Sequence, residues 1–274
     1  MYHKIIADID AAAIAAHPRF PDQSKRLFII AGEIQRSICD SFFKPYRRFF
    51  DAQWCWALGH IGLLYQAIRW FHVKHPGTQL VLQTRGQVSN QHFLDALKPY
   101  ITMYSTLPSE WVQEAADTAV YFGCPDGVNH IHDWVKIAER ECQGVNLLSL
   151  SDEQQRQVDE ILGFLGIARP YVAVQARGIE YDSHRNVSLS KVEQAIAPWV
   201  ERGFSVVSTG LDQHPINDKV PSVLKLSEPK LASFLLSAAC DQFIGSDSGA
   251  WTIPWAYRRP VELMNDDHKA WIYV

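Results

Sequence analysis

The sequence predicts an α/β protein with two doubly wound parallel sheets, and three observations carry that prediction. Capped amphipathic helices alternate with short apolar strands through residues 151–264. The strand ends in that stretch run into glycine- or serine-rich loops, and a less regular alternation occupies residues 59–124. Such alternation implies a parallel sheet, because each parallel pair needs a crossover and the helix supplies it. The expected domains are residues 1–150 and 151–274, hinged near residues 146–151 and facing a cleft.

In the second half, Ser151-Asp-Glu-Gln154 is a capping box, and Val158, Ile161, Leu162 and Leu165 follow at i, i+3, i+4 and i+7. Gly166 ends that helix. Tyr171 to Gln175 is an apolar strand of the buried kind. Ser190-Lys-Val-Glu193 predicts a second capping box, with Val192, Ala195, Ile196, Trp199 and Val200 on one face, a kink at Pro198 and a stop at Gly203. A strand over residues 204–209 ends at Gly210. Ser227 is the expected cap of a helix with Pro229 in its first turn and Leu231, Phe234, Leu235 and Ala238 on one face. Strands at residues 242–244 and 260–264 complete this half.

The first half has a helix from Gly59, with Ile61, Leu64, Tyr65 and Ile68 on one side, ending before Pro76-Gly77. Strands are expected at Leu80 to Gln83, at residues 101–105 and at residues 117–124, with a helix over residues 90–97. Leu27 to Ile30 reads as a strand or a helix start.

Composition bounds the function. The chain has 274 residues, 47% hydrophobic and 20% charged, with a net charge of −4. That balance supports large cores and gives no basic stripe for nucleic acid. Five scattered cysteines without a C-x-x-C pair make neither a disulfide framework nor a zinc site. Asp8 and Asp10 interrupt the N-terminal segment where a signal peptide needs an apolar core, and no run approaches the roughly 18 apolar residues of a membrane span. The expected location is cytoplasmic, with contact at the inner membrane face as an extension. Phe42-Phe-Lys-Pro-Tyr-Arg-Arg-Phe-Phe50 mixes aromatics and cations and reads as an amphipathic surface element or a contact for an anionic membrane. Asp8-Ile-Asp10, His72/His75 and His130/His132/Asp133 have loose metal-ligand spacing but lack further ligands, so no metal and no cofactor is expected. Serine-hydrolase elbows, Walker loops and dinucleotide fingerprints are missing from the sequence.

The chemistry concentrates at Phe243-Ile-Gly-Ser-Asp-Ser-Gly-Ala250. A strand, a Gly-Ser-Asp-Ser-Gly turn and a helix start point backbone N–H groups and a helix dipole at one spot, which suits a phosphate or diphosphate; turn and N-cap chemistry is the plain alternative. Ligands of open parallel sheets bind beyond the carboxyl ends of strands. Gln175-Ala-Arg-Gly178 and Ser208-Thr-Gly210 occupy two more such ends on the same rim. Arg177, Arg185 and Lys225 are candidate cations for a diphosphate.

Residues 226–263, with Phe243-Ile-Gly-Ser-Asp-Ser-Gly249 among them, are similar to the donor-site segment of bacterial heptosyltransferases. Tyr171-Val-Ala-Val-Gln175 resembles the first strand of their donor domain, and Trp56-Ala-Leu-Gly-His-Ile-Gly62 stands where their N-terminal glycine loop opens the first long helix. His184-Arg-Asn186 is similar to a motif of bacterial surface-polysaccharide glycosyltransferases. The resemblance implies a GT-B fold of two Rossmann-like domains and metal-independent transfer of a hexosyl or heptosyl group. The donor would be a nucleotide sugar; the acceptor, a glycan or lipid-linked molecule. It implies donor contacts from Arg177, Arg185, Gly210, Lys225, Ser246, Asp247, Ser248, Gly249 and Ala250. His60 stands where these enzymes carry an acidic residue and is a candidate general base or a structural histidine near a helix cap; Asp247 is a donor contact or a helix cap, and the three cations are phosphate contacts or solvated loop charges. A nucleotide-sugar epimerase and a non-catalytic nucleotide- or sugar-binding protein remain alternatives. The oligomeric state is left open.

Overall fold

The computed structural model describes residues 47–120, 140–142, 144–178, 186–211, 216, 219–246 and 248–264. Two four-stranded sheets, parallel at every pairing, organise them. The first holds β1 (Arg48–Phe50), β2 (Leu80–Gln83), β3 (Thr102–Tyr104) and β4 (Ala119–Val120), in the order β3-β2-β1-β4. The second holds β5 (Tyr171–Gln175), β6 (Ser205–Ser208), β7 (Gln242–Gly245) and β8 (Val261–Leu263), in the order β6-β5-β7-β8. Both sheets lie within the compact unit formed by residues 47–274.

The first-sheet helices are α1 (Gln53–Trp56), α2 (Leu58–Lys74), α3 (Gln91–Ala96) and α4 (Val112–Asp117). Those of the second sheet are α5 (Asp152–Leu165), α6 (Leu189–Glu201), α7 (Pro229–Ala239) and α8 (Thr252–Ala256). Asn90 caps α3 through its side chain, which accepts from Phe93 N–H at 2.9 Å. The Ser151–Gln154 capping box opens α5, and Gly166 closes it in the left-handed region at φ 67°.

Three expectations need correction. Phe49 and Phe50 are buried in β1, an inner strand, so this end of the segment is core rather than an amphipathic surface or membrane contact, with Arg47 and Arg48 half-buried beside it. Aromatic residues suit a pleated, buried surface, and Phe50 packs edge-on to Trp54 at 5.1 Å. Arg47 lies over the Trp111 ring at 4.2 Å and pairs with Glu114 at 3.3 Å. Residues 42–46 lie outside the described residues, as do Leu27 to Ile30, Asp8, Asp10 and the 130–133 cluster. Second, α6 is capped by Ser188, two residues before the expected cap; its hydroxyl accepts from Lys191 N–H. As expected, α6 runs through Pro198 and stops before Gly203, at Glu201. Third, α7 begins at Pro229, a residue suited to the first helical position, and follows Glu228 without a side-chain cap rather than Ser227 as one.

Strand β5 shows how the core is divided. Tyr171 and Ala173 face one apolar cluster, which also takes in residues of the first sheet such as Phe50, Leu64 and Phe93. Val172 and Val174 face a second cluster with Val192, Ile196 and Ile244 on the opposite side of the sheet. All five β5 residues are buried, as expected for a parallel strand covered on both faces. The connecting segment is tied to the first half. Tyr65 Oη donates to Asn146 Oδ1 at 2.8 Å, and Tyr100 Oη donates to the Leu147 carbonyl.

Candidate active site

Each sheet has one switch point, where the strand order reverses, and such points create a crevice at the carboxyl ends of the strands. In the second sheet it lies between β5 and β7, with Gln175 and Gly245 paired in register at its lip. In the first sheet it lies between β1 and β4, and the chain leaving β1 leads through α1 into α2. The two switch points meet. A Cβ built on Gly249 would lie 2.3 Å from Gly59 N and 3.0 Å from Gly59 Cα, so the glycine turn after β7 touches the start of α2 backbone to backbone. One turn on, a Cβ at Gly62 would fall 2.4 Å from Thr252 Cβ. Thr252 Oγ1 donates to the Gly249 carbonyl at 2.6 Å and faces the Leu58 carbonyl at 3.4 Å.

This contact revises the reading of the turn. Gly249 is glycine because α2 packs there, which is a different requirement from open approach by an anion. Gly245 likewise accommodates the Phe243 ring, 2.5 Å from where its Cβ would be. Ser246 is fully buried, its N–H donating to the Gln175 carbonyl at 3.0 Å and its Oγ accepting from Arg177 N–H at 3.0 Å. Ser248 N–H donates to the Ser246 carbonyl at 2.7 Å, and Ser248 Oγ donates to Gln175 Oε1 at 2.7 Å. Both serines therefore hold the turn in shape, and their N–H groups are spent within the protein. The helix after the turn is short: a 3₁₀ turn, Gly249–Trp251, leads into the five residues of α8, with Pro254 inside. Ala250 opens that turn through a long contact of its N–H with Ser248 Oγ at 3.4 Å.

The strong helix terminus belongs to α2. It has 17 residues, no side-chain cap and no acidic residue in its first turn. Its first intrahelical bond runs from Ile61 N–H to the Ala57 carbonyl at 3.2 Å, so the N–H groups of Leu58, Gly59 and His60 precede the ladder. The positive end of the α2 dipole thus opens at the Gly59–Gly249 contact.

His60 is half-buried in that first turn. Its Nδ1 lies 2.7 Å from the Gln53 carbonyl, which can only accept; Nδ1 therefore carries the hydrogen and the neutral ring keeps its lone pair on Nε2. Burial pushes its pKa below 6.5, with the Gln53 carbonyl opposing the shift. Asp51, which the sequence reading passed over, accepts from Gln53 N–H at 2.9 Å at the start of α1, on the residue whose carbonyl meets His60.

The other predicted residues divide. Arg177 sits just past β5 at 5% exposure, its side chain inside the rim rather than displayed on it. Gly210 is buried beside Gln175, whose Cγ would be 3.7 Å from a Cβ there. Lys225 is exposed at the end of a 3₁₀ turn, Val223–Lys225. Asp247, His184 and Arg185 lie outside the described residues. His72 and His75 pack against aromatic rings, and among the described residues no group of three or more His, Cys, Asp or Glu could hold a metal ion. No helix among them is long and apolar enough to cross a membrane.

No family model matches the sequence, and no curated protein does. Solved structures do. A glycosyl transferase of family 9 from Veillonella parvula superposes with a TM-score of 0.53 at 12% identity, covering 78% of this chain and 79% of that one. The fold is of the GT-B type. The iron-containing dodecameric glycosyltransferase TibC from enterotoxigenic E. coli gives a TM-score of 0.48 at 19% identity, covering 80% of this chain and 57% of its own. E. coli ADP-heptose LPS heptosyltransferase II gives 0.43 at 11%, covering 80% and 83%.

Proposed function

We propose that the protein is a glycosyltransferase that moves a sugar from a nucleotide-activated donor to a glycan or lipid-linked acceptor without a metal ion. The observation that carries this reading is the meeting of the two switch points, which brings the uncapped start of α2, at Leu58 and Gly59, against the turn after β7, with His60 the next residue of that helix. Residues 151–274 would hold the donor and residues 1–150 the acceptor. The leaving diphosphate is assigned to the α2 terminus and to Gly210 and Ala250, with charge from Arg177, Arg185 and Lys225 and with Asp247 contacting the donor; Gly249 serves by letting α2 approach the turn. Preorganised N–H groups and cations can stabilise that leaving charge in place of a metal. Ser246 and Ser248 act by fixing the turn.

In the reaction the acceptor oxygen forms its bond to the anomeric carbon while the bond from that carbon to the diphosphate oxygen breaks. The proton of the acceptor hydroxyl passes to Nε2 of His60. A neutral imidazole is the form required, and both burial and the α2 dipole favour it.

The test is nucleoside diphosphate binding by thermal shift, followed by turnover of a panel of nucleotide sugars. Positioned base catalysis supplies about 10²–10⁴-fold, so His60→Ala should lower turnover by at least about 10²-fold with nucleotide affinity nearly unchanged. Nucleotide binding without turnover in the wild type would leave only the non-catalytic binding alternative. Turnover unaffected by His60→Ala would remove His60 from the chemistry.

A further inference from the structure

Trp56 ends α1 four residues before His60, and 53% of its surface is exposed, more than any other tryptophan among the described residues. Its ring is held rather than loose, because Nε1 donates to the Arg85 carbonyl 3.3 Å away. Arg85 lies just past the carboxyl end of β2, on the same rim as the chain leaving β1, and is itself exposed. With the Gln83 amide oriented so that both groups are satisfied, the Gln83 side-chain oxygen accepts from Arg85 Nε at 2.8 Å and from Arg85 Nη2 at 3.1 Å. A guanidinium has five N–H donors, so about three remain for another partner. Among the described residues no carboxylate lies within ion-pair distance of Arg85. An exposed indole is thus held on the backbone of Arg85, the same residue whose guanidinium Gln83 orients. Four residues span at most about 14 Å, so the Trp56 Cα lies within that distance of the His60 Cα.

We propose that Trp56 and Arg85 form the acceptor subsite and that it takes an anionic glycoside, with the sugar's C–H face on the indole and its carboxylate or phosphate on Arg85. This deepens the glycosyltransferase reading and rests on it. Aromatic faces bind apolar surface at little entropic cost when already fixed, and arginine recognises planar anions through paired N–H donors.

The experiment titrates methyl β-glucopyranoside and its 6-carboxylate, methyl β-glucopyranosiduronate, against the full chain by saturation-transfer NMR, with nucleoside diphosphate thermal shifts run in parallel. The carboxylate should bind about tenfold more tightly than the neutral glycoside, in line with a charge-assisted bond. Arg85→Ala should erase that preference, and Trp56→Ala should abolish saturation by both sugars while Trp56→Phe keeps part of it. Nucleoside diphosphate shifts should be the same in all variants. Failure of either glycoside to bind, equal affinity for the two, or binding that survives Trp56→Ala would overturn the subsite. Nucleoside diphosphate shifts that persist in that case would leave the donor reading standing, whereas glycoside binding without any nucleotide shift would sink the donor reading alone.

Discussion

Gly62 offers a prediction whose sign is reversed by tertiary structure. In a helix interior Gly→Ala ordinarily gains up to about 1 kcal/mol, because glycine gives up more backbone entropy on folding. At Gly62 the added methyl would lie 2.4 Å from Thr252 Cβ and 2.7 Å from both Cγ2 and Oγ1. Thr252 cannot easily turn aside. Its side chain is β-branched and stiff, its hydroxyl is bonded to the Gly249 carbonyl, and the next four residues are buried. Overpacking of this kind costs about 1–3 kcal/mol, and occasionally more. The loss exceeds the gain, so Gly62→Ala should destabilise the fold by up to about 2 kcal/mol. Gly163 in α5 is the internal control, since its Cβ would meet nothing within 4 Å and Gly163→Ala should keep the propensity gain. With about 2–4 °C per kcal/mol for a protein of this size, thermal unfolding should move the two variants in opposite directions. Equal increases in Tm would show that α2 and α8 do not approach as described.

The remaining predictions concern the site. His60 has its pKa lowered by burial, so between 6.5 and the lowered value the unfolded chain binds a proton that the folded chain resists; stability should fall as pH drops through that window, and less so in His60→Gln, followed by chemical denaturation at several pH values. The same shift sets the acid limb of kcat/KM below 6.5, and a limb above that value would contradict the neutral-base assignment. Ser246→Ala removes the acceptor of the buried Arg177 N–H and should cost about 1–3 kcal/mol in denaturant unfolding, while an unchanged midpoint would mean the hydroxyl is not holding the turn.

By itself the sequence determined the parallel α/β class and most elements of the second half. Those signals are local: the Ser151–Gln154 box, the all-apolar run of β5 and the i, i+3, i+4 stripe of α5 each lie within a few residues of the structure they specify. Strand β1 was illegible because three residues next to cations have no period to read, and only pairing with β2 and β4 makes them an inner strand. The glycine turn was found but its reason was not. A Gly-Ser-Asp-Ser-Gly run is compatible with anion approach and with tight packing alike, and the choice rests on Gly59, a residue far away in the chain that tertiary contact places against Gly249. Ser246 shows the same limit, since only the fold brings Arg177 N–H to its hydroxyl. Trp56 and Arg85 meet for the same reason: their loops follow different strands, and the order of strands in a sheet is set by long-range pairing that no local pattern encodes.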